Sequence, residues 1–237
     1  MHDILIQPTS TTLYGDGSEL PTLEISLGRT PQGIVLLVCD SDDLLVSASE
    51  VMNRLAARGY ESVAAEVPPV GCRSVVDALL TRAAARGWTQ EQTGLIGFGA
   101  GGLSVLDAAV RKSIGAAVSF SPTLRTYSGD SSAAASETVE AQVTTPWLGL
   151  FGAEDPAASA DWVERLTSML DRNSEIHTAT VRYPGVGREF YRHGNDGAGY
   201  AAWYDSWQRT MEWLEARIAP RPTPLALQWR EKRGHLV

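Results

Sequence analysis

An apolar run, Thr93-Gly94-Leu95-Ile96, passes through Gly97-Phe98-Gly99-Ala100-Gly101-Gly102 into a segment rich in Ala, Leu and Val, Leu103 to Val110. A strand–turn–helix junction of this kind places backbone N–H groups at a helix amino terminus. There the amide of Ala100 offers a site for developing negative charge. Gly99, at the centre of the turn, has no side chain and cannot attack a substrate. Other chemistry must come from nearby strand ends. The carboxylates are Asp40, Glu154, Asp155 and Glu189, the cation is Arg188, and the remaining groups are Ser41, Ser121, Cys72 and His193. Carboxylates relay protons, a hydroxyl or thiol needs a base beside it to become a nucleophile, and arginine stays protonated and holds anions.

Each of these has a plainer reading beside the chemical one. Cys72 offers a substitute nucleophile, or is a partly buried structural cysteine. Ser121 has no base near it in sequence and reads more simply as a capping or turn serine. His193 offers a base that would pair with the carboxylate of Asp155, or is a surface histidine in the turn Gly194-Asn195-Asp196-Gly197. The run Asp40-Ser41-Asp42-Asp43 mimics a cation site but is explained by an N-cap for the helix after it. His2, His177 and His235 are scattered, so no metal site is expected. No cofactor is expected either.

The elements that must position these residues alternate. Leu20 to Leu27 alternates polar and apolar, as a half-exposed edge strand does, and Gly33 to Cys39 is continuously apolar, as a central strand is. A helix from about Asp43 to Arg58 is closed by Gly59, and a helix from Arg73 to Arg86 by Gly87, with a strand, Ser62 to Val67, between them. After the turn at Gly99 come a strand, Ala116 to Ser121, and a Ser/Ala/Thr/Gly-rich stretch, Tyr127 to Thr145. That stretch reads as an excursion or as a short helix near Ala133 to Val143. Strand Pro146 to Gly152, helix Ala157 to Leu170 and strand Ile176 to Tyr183 follow. A closing helix, Ala198 to Ile218, puts Tyr200, Trp203, Tyr204, Trp207, Met211, Leu214 and Ile218 on one stripe for packing. The alternation predicts an α/β fold, a mostly parallel sheet with helices on both faces.

Bulk properties bound the function. The chain has 237 residues, 43% of them hydrophobic, and a net charge of -8. That charge argues against nucleic acid and anionic membrane surfaces as partners. Its two cysteines suggest no disulfide framework, no signal peptide is read at Met1 to Ser10, and no apolar stretch reaches membrane-spanning length, so a cytoplasmic protein is expected. Residues 1–219 are expected to form one domain. Residues 220–237 form a tail that wraps it or meets a second subunit, which leaves a homodimer open.

Three segments, in order, resemble the dienelactone hydrolase family of α/β hydrolases. Ile96-Gly97-Phe98-Gly99-Ala100-Gly101-Gly102 is similar to that family's nucleophile turn, Leu150-Phe151-Gly152-Ala153-Glu154-Asp155-Pro156 to its acid-bearing strand end, and Tyr183-Pro184-Gly185-Val186-Gly187-Arg188-Glu189-Phe190 to its histidine loop. Ala201 to Leu214 resembles its closing helix. The resemblance implies a single-domain α/β-hydrolase fold over roughly Leu20 to Ile218. Position by position it puts Gly99 where the nucleophile stands and Arg188 where the histidine stands, keeps Asp155 as the acid, and sets Asp40 where the family has an acidic residue nearby. The link Pro68-Pro69-Val70-Gly71-Cys72-Arg73 replaces a longer lid-forming segment, so a reduced lid is expected. Without nucleophile and base no acyl-enzyme can form. An ion pair between Arg188 and Asp155 is expected in place of the histidine–acid contact. The resemblance then implies a repurposed small-molecule pocket enzyme, a non-catalytic relative that binds a ligand or partner, or a hydrolase with a recruited nucleophile.

Overall fold

Strand β3 (Gly33–Cys39) shows why the chain is layered. All seven residues are buried, and alternate side chains enter two separate cores. Val35, Leu37 and Cys39 join one cluster; Ile34, Leu36 and Val38 join the other. A strand that is apolar on both sides must be covered on both sides. The first cluster is closed by α1 (Leu44–Ala57) and α5 (Gly197–Glu215), through Met52, Leu55, Trp207, Met211 and Leu214. The second is closed by α2 (Cys72–Ala85), α3 (Ala100–Arg111) and α4 (Ala160–Asn173), through Val76, Leu79, Val105, Leu166 and Leu170. The computed structural model describes residues 5–15, 17–28, 30–39, 44–67, 72–122, 142–192, 197–222, 225–226 and 228–229.

With β1 (Thr9–Gly15), β2 (Ser18–Ile25), β4 (Tyr60–Glu66), β5 (Thr93–Phe98), β6 (Ala116–Phe120), β7 (Trp147–Gly152) and β8 (Thr178–Tyr183), the sheet has the order β1-β2-β4-β3-β5-β6-β7-β8. Only the β1–β2 and β2–β4 pairings are antiparallel; β4 through β8 run parallel. The expected α/β-hydrolase architecture is therefore present. Five residues, 67–71, join β4 to α2, so this link is short.

Several expectations are corrected. The segment taken for an edge strand, β2, is covered by β1, which pairs along its length from Thr9↔Glu24 to Gly15↔Ser18. β1 is mostly Thr, Ser and Tyr with exposed alternate positions, so its apolar signal is weak. Helix α4 starts at Ala160 rather than Ala157, because Ala158 N–H is taken by the Asp155 carbonyl and Ser159 caps Trp162 N–H. Helix α5 ends at Glu215, and Ile218 lies beyond it, buried against the first residues of β3 and β5. On its stripe Trp203, Trp207, Met211 and Leu214 are buried, but Tyr200 and Tyr204 stand about half exposed, at 49% and 51%. The expected terminators hold: Gly59 (φ 86°) and Gly87 (φ 79°) follow α1 and α2 in the left-handed region. The stretch expected as an excursion or short helix falls largely outside the described residues; its end, Gln142–Thr145, is non-helical, with Val143 and Thr145 fully buried. No helix among the described residues is long and apolar enough to cross a membrane.

Candidate functional site

The turn after β5 is built by absent side chains. Gly99 has φ 56° and ψ -118° and caps the amino end of α3. A Cβ on Gly97 would run into the Gly101 carbonyl, and one on Gly101 into the Val38 carbonyl. The glycines thus let α3 begin pressed against the ends of β3 and β5. The turn itself is held by Gly99 N–H donating to the Phe120 carbonyl at 2.9 Å, and the first helical amide, Leu103 N–H, donates back to Gly99. A sharp strand-to-helix turn is thus formed around a residue with no side chain, whose positive φ glycine adopts freely.

Asp155 follows β7 on a loop tied to β8. Ala153 N–H donates to the Tyr183 carbonyl (2.8 Å) and Glu154 N–H to the Val186 carbonyl (3.0 Å). Gly152 has no room for a Cβ because Gly187 crosses over it. Arg182 Nη2 donates to the Ala153 carbonyl at 3.1 Å, whereas its buried Nε has no hydrogen-bond partner. Asp155 is 3% exposed. Its Oδ1 accepts from Ala157 N–H at 2.9 Å, and its buried Oδ2 accepts from nothing.

The expected Arg188–Asp155 ion pair is therefore not formed. The carboxylate turns back onto its own loop instead of reaching across. Arg188 is half-buried on the loop after β8, between exposed Gly187 and exposed Glu189, and Glu189 pairs with Arg192 at 3.6 Å. Behind it Phe190 packs on Tyr183 and Phe120, and Tyr191 on Phe98. Burial holds the Tyr183 hydroxyl well above the usual phenol range, and its hydrogen bond to Asp205 on α5 adds to the effect.

Ser121 is more than the turn serine its sequence suggests. It is fully buried at the end of β6, its N–H donates to the Leu150 carbonyl (2.8 Å), and its hydroxyl donates to the Arg188 carbonyl (2.7 Å). The carboxyl ends of β5 through β8 thus gather Gly99, Ala100, Ser121, Glu154, Asp155, Arg188 and Glu189 at one edge of the sheet. Glu154 and Glu189 point their exposure to solvent rather than into a buried site. Asp40, Ser41 and His193 lie outside the described residues, as does the side chain of Cys72. Among the described residues no group of three or more His, Cys, Asp and Glu stands close enough to hold a metal ion. Sequence reading missed Arg182 and the Ser121–Arg188 contact, whose partners are 67 positions apart and leave no local pattern.

A sequence profile described as the dienelactone hydrolase family matches residues 47–218. No curated protein sequence matches the chain. Among solved structures, a Klebsiella pneumoniae protein assigned as a dienelactone hydrolase superposes with TM-score 0.74 at 22% identity, over 88% of this chain and 98% of that one. A dienelactone-hydrolase-like promiscuous phosphotriesterase from metagenomic libraries gives TM-score 0.71 at 17% identity, over 90% and 100% of the two chains. Esterase 2 of Thermogutta terrifontis gives 0.71 at 12%, over 92% and 98%. At these identities the likeness to solved structures is one of fold.

Proposed function

This chain belongs to the dienelactone hydrolase family, and from that premise we propose that it is a repurposed small-molecule pocket enzyme working without the family's covalent triad. Gly99 at the turn has no atom to form an acyl-enzyme, and a guanidinium at position 188 cannot take a proton from anything. In this reading the remaining polar groups carry the chemistry. The amide of Ala100 at the start of α3 stabilises an oxyanion or enolate. Arg188 receives a carboxylate, and Asp155 or Asp40 moves a proton. That set suits isomerisation, cyclisation or elimination on a small carbonyl or lactone compound.

One observation carries the reading: Asp155 is buried with an oxygen that no protein group satisfies. Leaving a buried acceptor unpaired costs about 1–3 kcal/mol. A surface that serves only as a partner scaffold has no use for that cost, whereas a ligand O–H or N–H that displaces the groups covering this oxygen removes it on binding.

The test sets the purified chain beside its Asp155→Ala variant. Both are given activated esters, enol lactones and small keto acids, with products followed by NMR. Non-hydrolytic conversion that disappears in Asp155→Ala is the expected result. Ester hydrolysis abolished by the same substitution would point instead to a recruited nucleophile or an activated water. No conversion of any kind would favour the non-catalytic, ligand-binding relative.

A further inference from the structure

Ser121 is the only residue other than glycine with positive φ among the described residues, at 42°. A non-glycine residue pays a conformational penalty there, and such strain persists where surrounding contacts enforce it. Glycine would meet the backbone requirement without strain. What glycine lacks is the hydroxyl, and that hydroxyl is engaged: buried, it donates to the Arg188 carbonyl at 2.7 Å. The same residue stands between two other corners of the site. Its amide is bonded to the Leu150 carbonyl on β7, the strand that leads into Asp155, and the preceding carbonyl, Phe120, receives Gly99 N–H from the turn.

We infer that Ser121 is the positioning residue for Arg188, a latch that fixes the backbone of the loop after β8 against the end of β6 and so sets where the guanidinium stands. The inference rests on the reading above that Arg188 belongs to the ligand site. Arg188 stands directly between exposed Gly187 and exposed Glu189. On the other side Val186 and Phe190 are buried and Glu154 N–H holds the Val186 carbonyl. The Ser121 hydroxyl supplies the fixed point between those two anchors. Arginine has several rotatable bonds, so an unfixed backbone would spread its charge over many positions. A bidentate clamp on a planar carboxylate needs one.

Phenylglyoxal labelling of Arg188 in the intact chain, read by peptide mass spectrometry, tests this without any turnover assay. Exposed Arg165 on α4 serves as the internal reference. Ser121→Ala removes the hydroxyl and keeps the strained backbone; Ser121→Gly removes the hydroxyl and relieves the strain. The expected result is that both variants label about tenfold faster at Arg188, the factor that one buried hydrogen bond contributes, with Arg165 unchanged. The melting temperature falls further in Ser121→Ala than in Ser121→Gly. Labelling that simply follows melting temperature, rising in the alanine variant alone, would make Ser121 a stability residue and overturn the latch. Unchanged labelling in both would overturn it as well. Protection of wild-type Arg188 by added pyruvate separates the two claims: no protection alongside the expected labelling pattern removes the ligand-site reading and keeps the latch.

Discussion

On the proposed reading Gly99 stands at a vacated nucleophile position, and that reading makes hydrolysis restorable by substitution. The Gly99 φ of 56° and ψ of -118° already describe the turn, and Asp155 already has a free buried oxygen for a histidine N–H. Gly99→Ser combined with Arg188→His is therefore expected to give ester hydrolysis that neither single variant shows. Its rate should rise with pH through about 6.5, as a histidine base loses its proton. Gly99→Ser alone should lower stability by about 1–3 kcal/mol, because serine is strained at positive φ. Turnover by the single serine variant equal to that of the pair would mean that some other base serves the turn. At this scale the sequence was informative about identity and silent about contact. The resemblance sets Arg188 beside Asp155 and so suggests charge pairing, yet Oδ1 of Asp155 is captured by Ala157 N–H two residues on. A local hydrogen bond needs no long side chain to be ordered, and it won over a cross-loop ion pair.

Among the elements, helix α2 is fastened to the antiparallel side of the sheet by charge. Glu24 on β2 accepts from Arg82 Nε (2.8 Å) and Nη2 (3.0 Å), and Arg86 reaches both Glu24 (3.4 Å) and Glu61 on β4 (2.6 Å). Trp88 Nε1 also donates to Glu61 at 3.2 Å. Burial on its own would raise the Glu24 carboxyl, but the hydrogen bond and charge of Arg82, with Thr11 and Arg86, hold it below the usual carboxylate range. A depressed carboxylate contributes stability that is fully present above the unfolded value of about 4.3 and is lost as pH falls through the lower folded value. Glu24→Gln should therefore unfold more easily at pH 7 by about 2 kcal/mol and show a shallower loss of stability below pH ~4 than the parent. Urea titrations at several pH values would show it; parallel acid limbs in the two proteins would contradict it. This network was not legible beforehand, because β1 and the true neighbours of β2 were not. Strands whose side chains are apolar on both faces, such as β3, declare themselves by an unbroken run. β1, with Thr, Ser and Tyr facing alternately outward, carries only a weak period-2 signal and takes its stability from the register of its partner.

Across the whole molecule, the placement of the turn helix depends on a path that crosses the sheet. Trp147 is fully buried on β7 and its Nε1 donates to Ser119 Oγ on β6 at 2.9 Å. Ser119 Oγ in turn donates to the Gly102 carbonyl in the first turn of α3 at 2.7 Å. The indole reaches this far only because Gly149, two residues along the same face of β7, has no side chain: a Cβ there would enter the Trp147 ring and press on Phe151 at 2.9 Å. Trp147→Phe keeps most of the apolar volume and removes the donor, leaving Ser119 one bond short. It is expected to cost about 1–2 kcal/mol, with no change in urea m value. Gly149→Ala should cost about 1–3 kcal/mol by overpacking. Because both effects act through one ring, they should not add. In a Trp147→Ala background the space beside position 149 is open, and Gly149→Ala should then be close to neutral or stabilising, giving an interaction free energy of at least about 1 kcal/mol in a double-mutant cycle. Additive costs would mean that Gly149 is required by the strand backbone and not by the tryptophan. The anchor of α3 would then rest on the glycine contacts at positions 97 and 101, where the helix meets the carbonyls of its own turn and of β3.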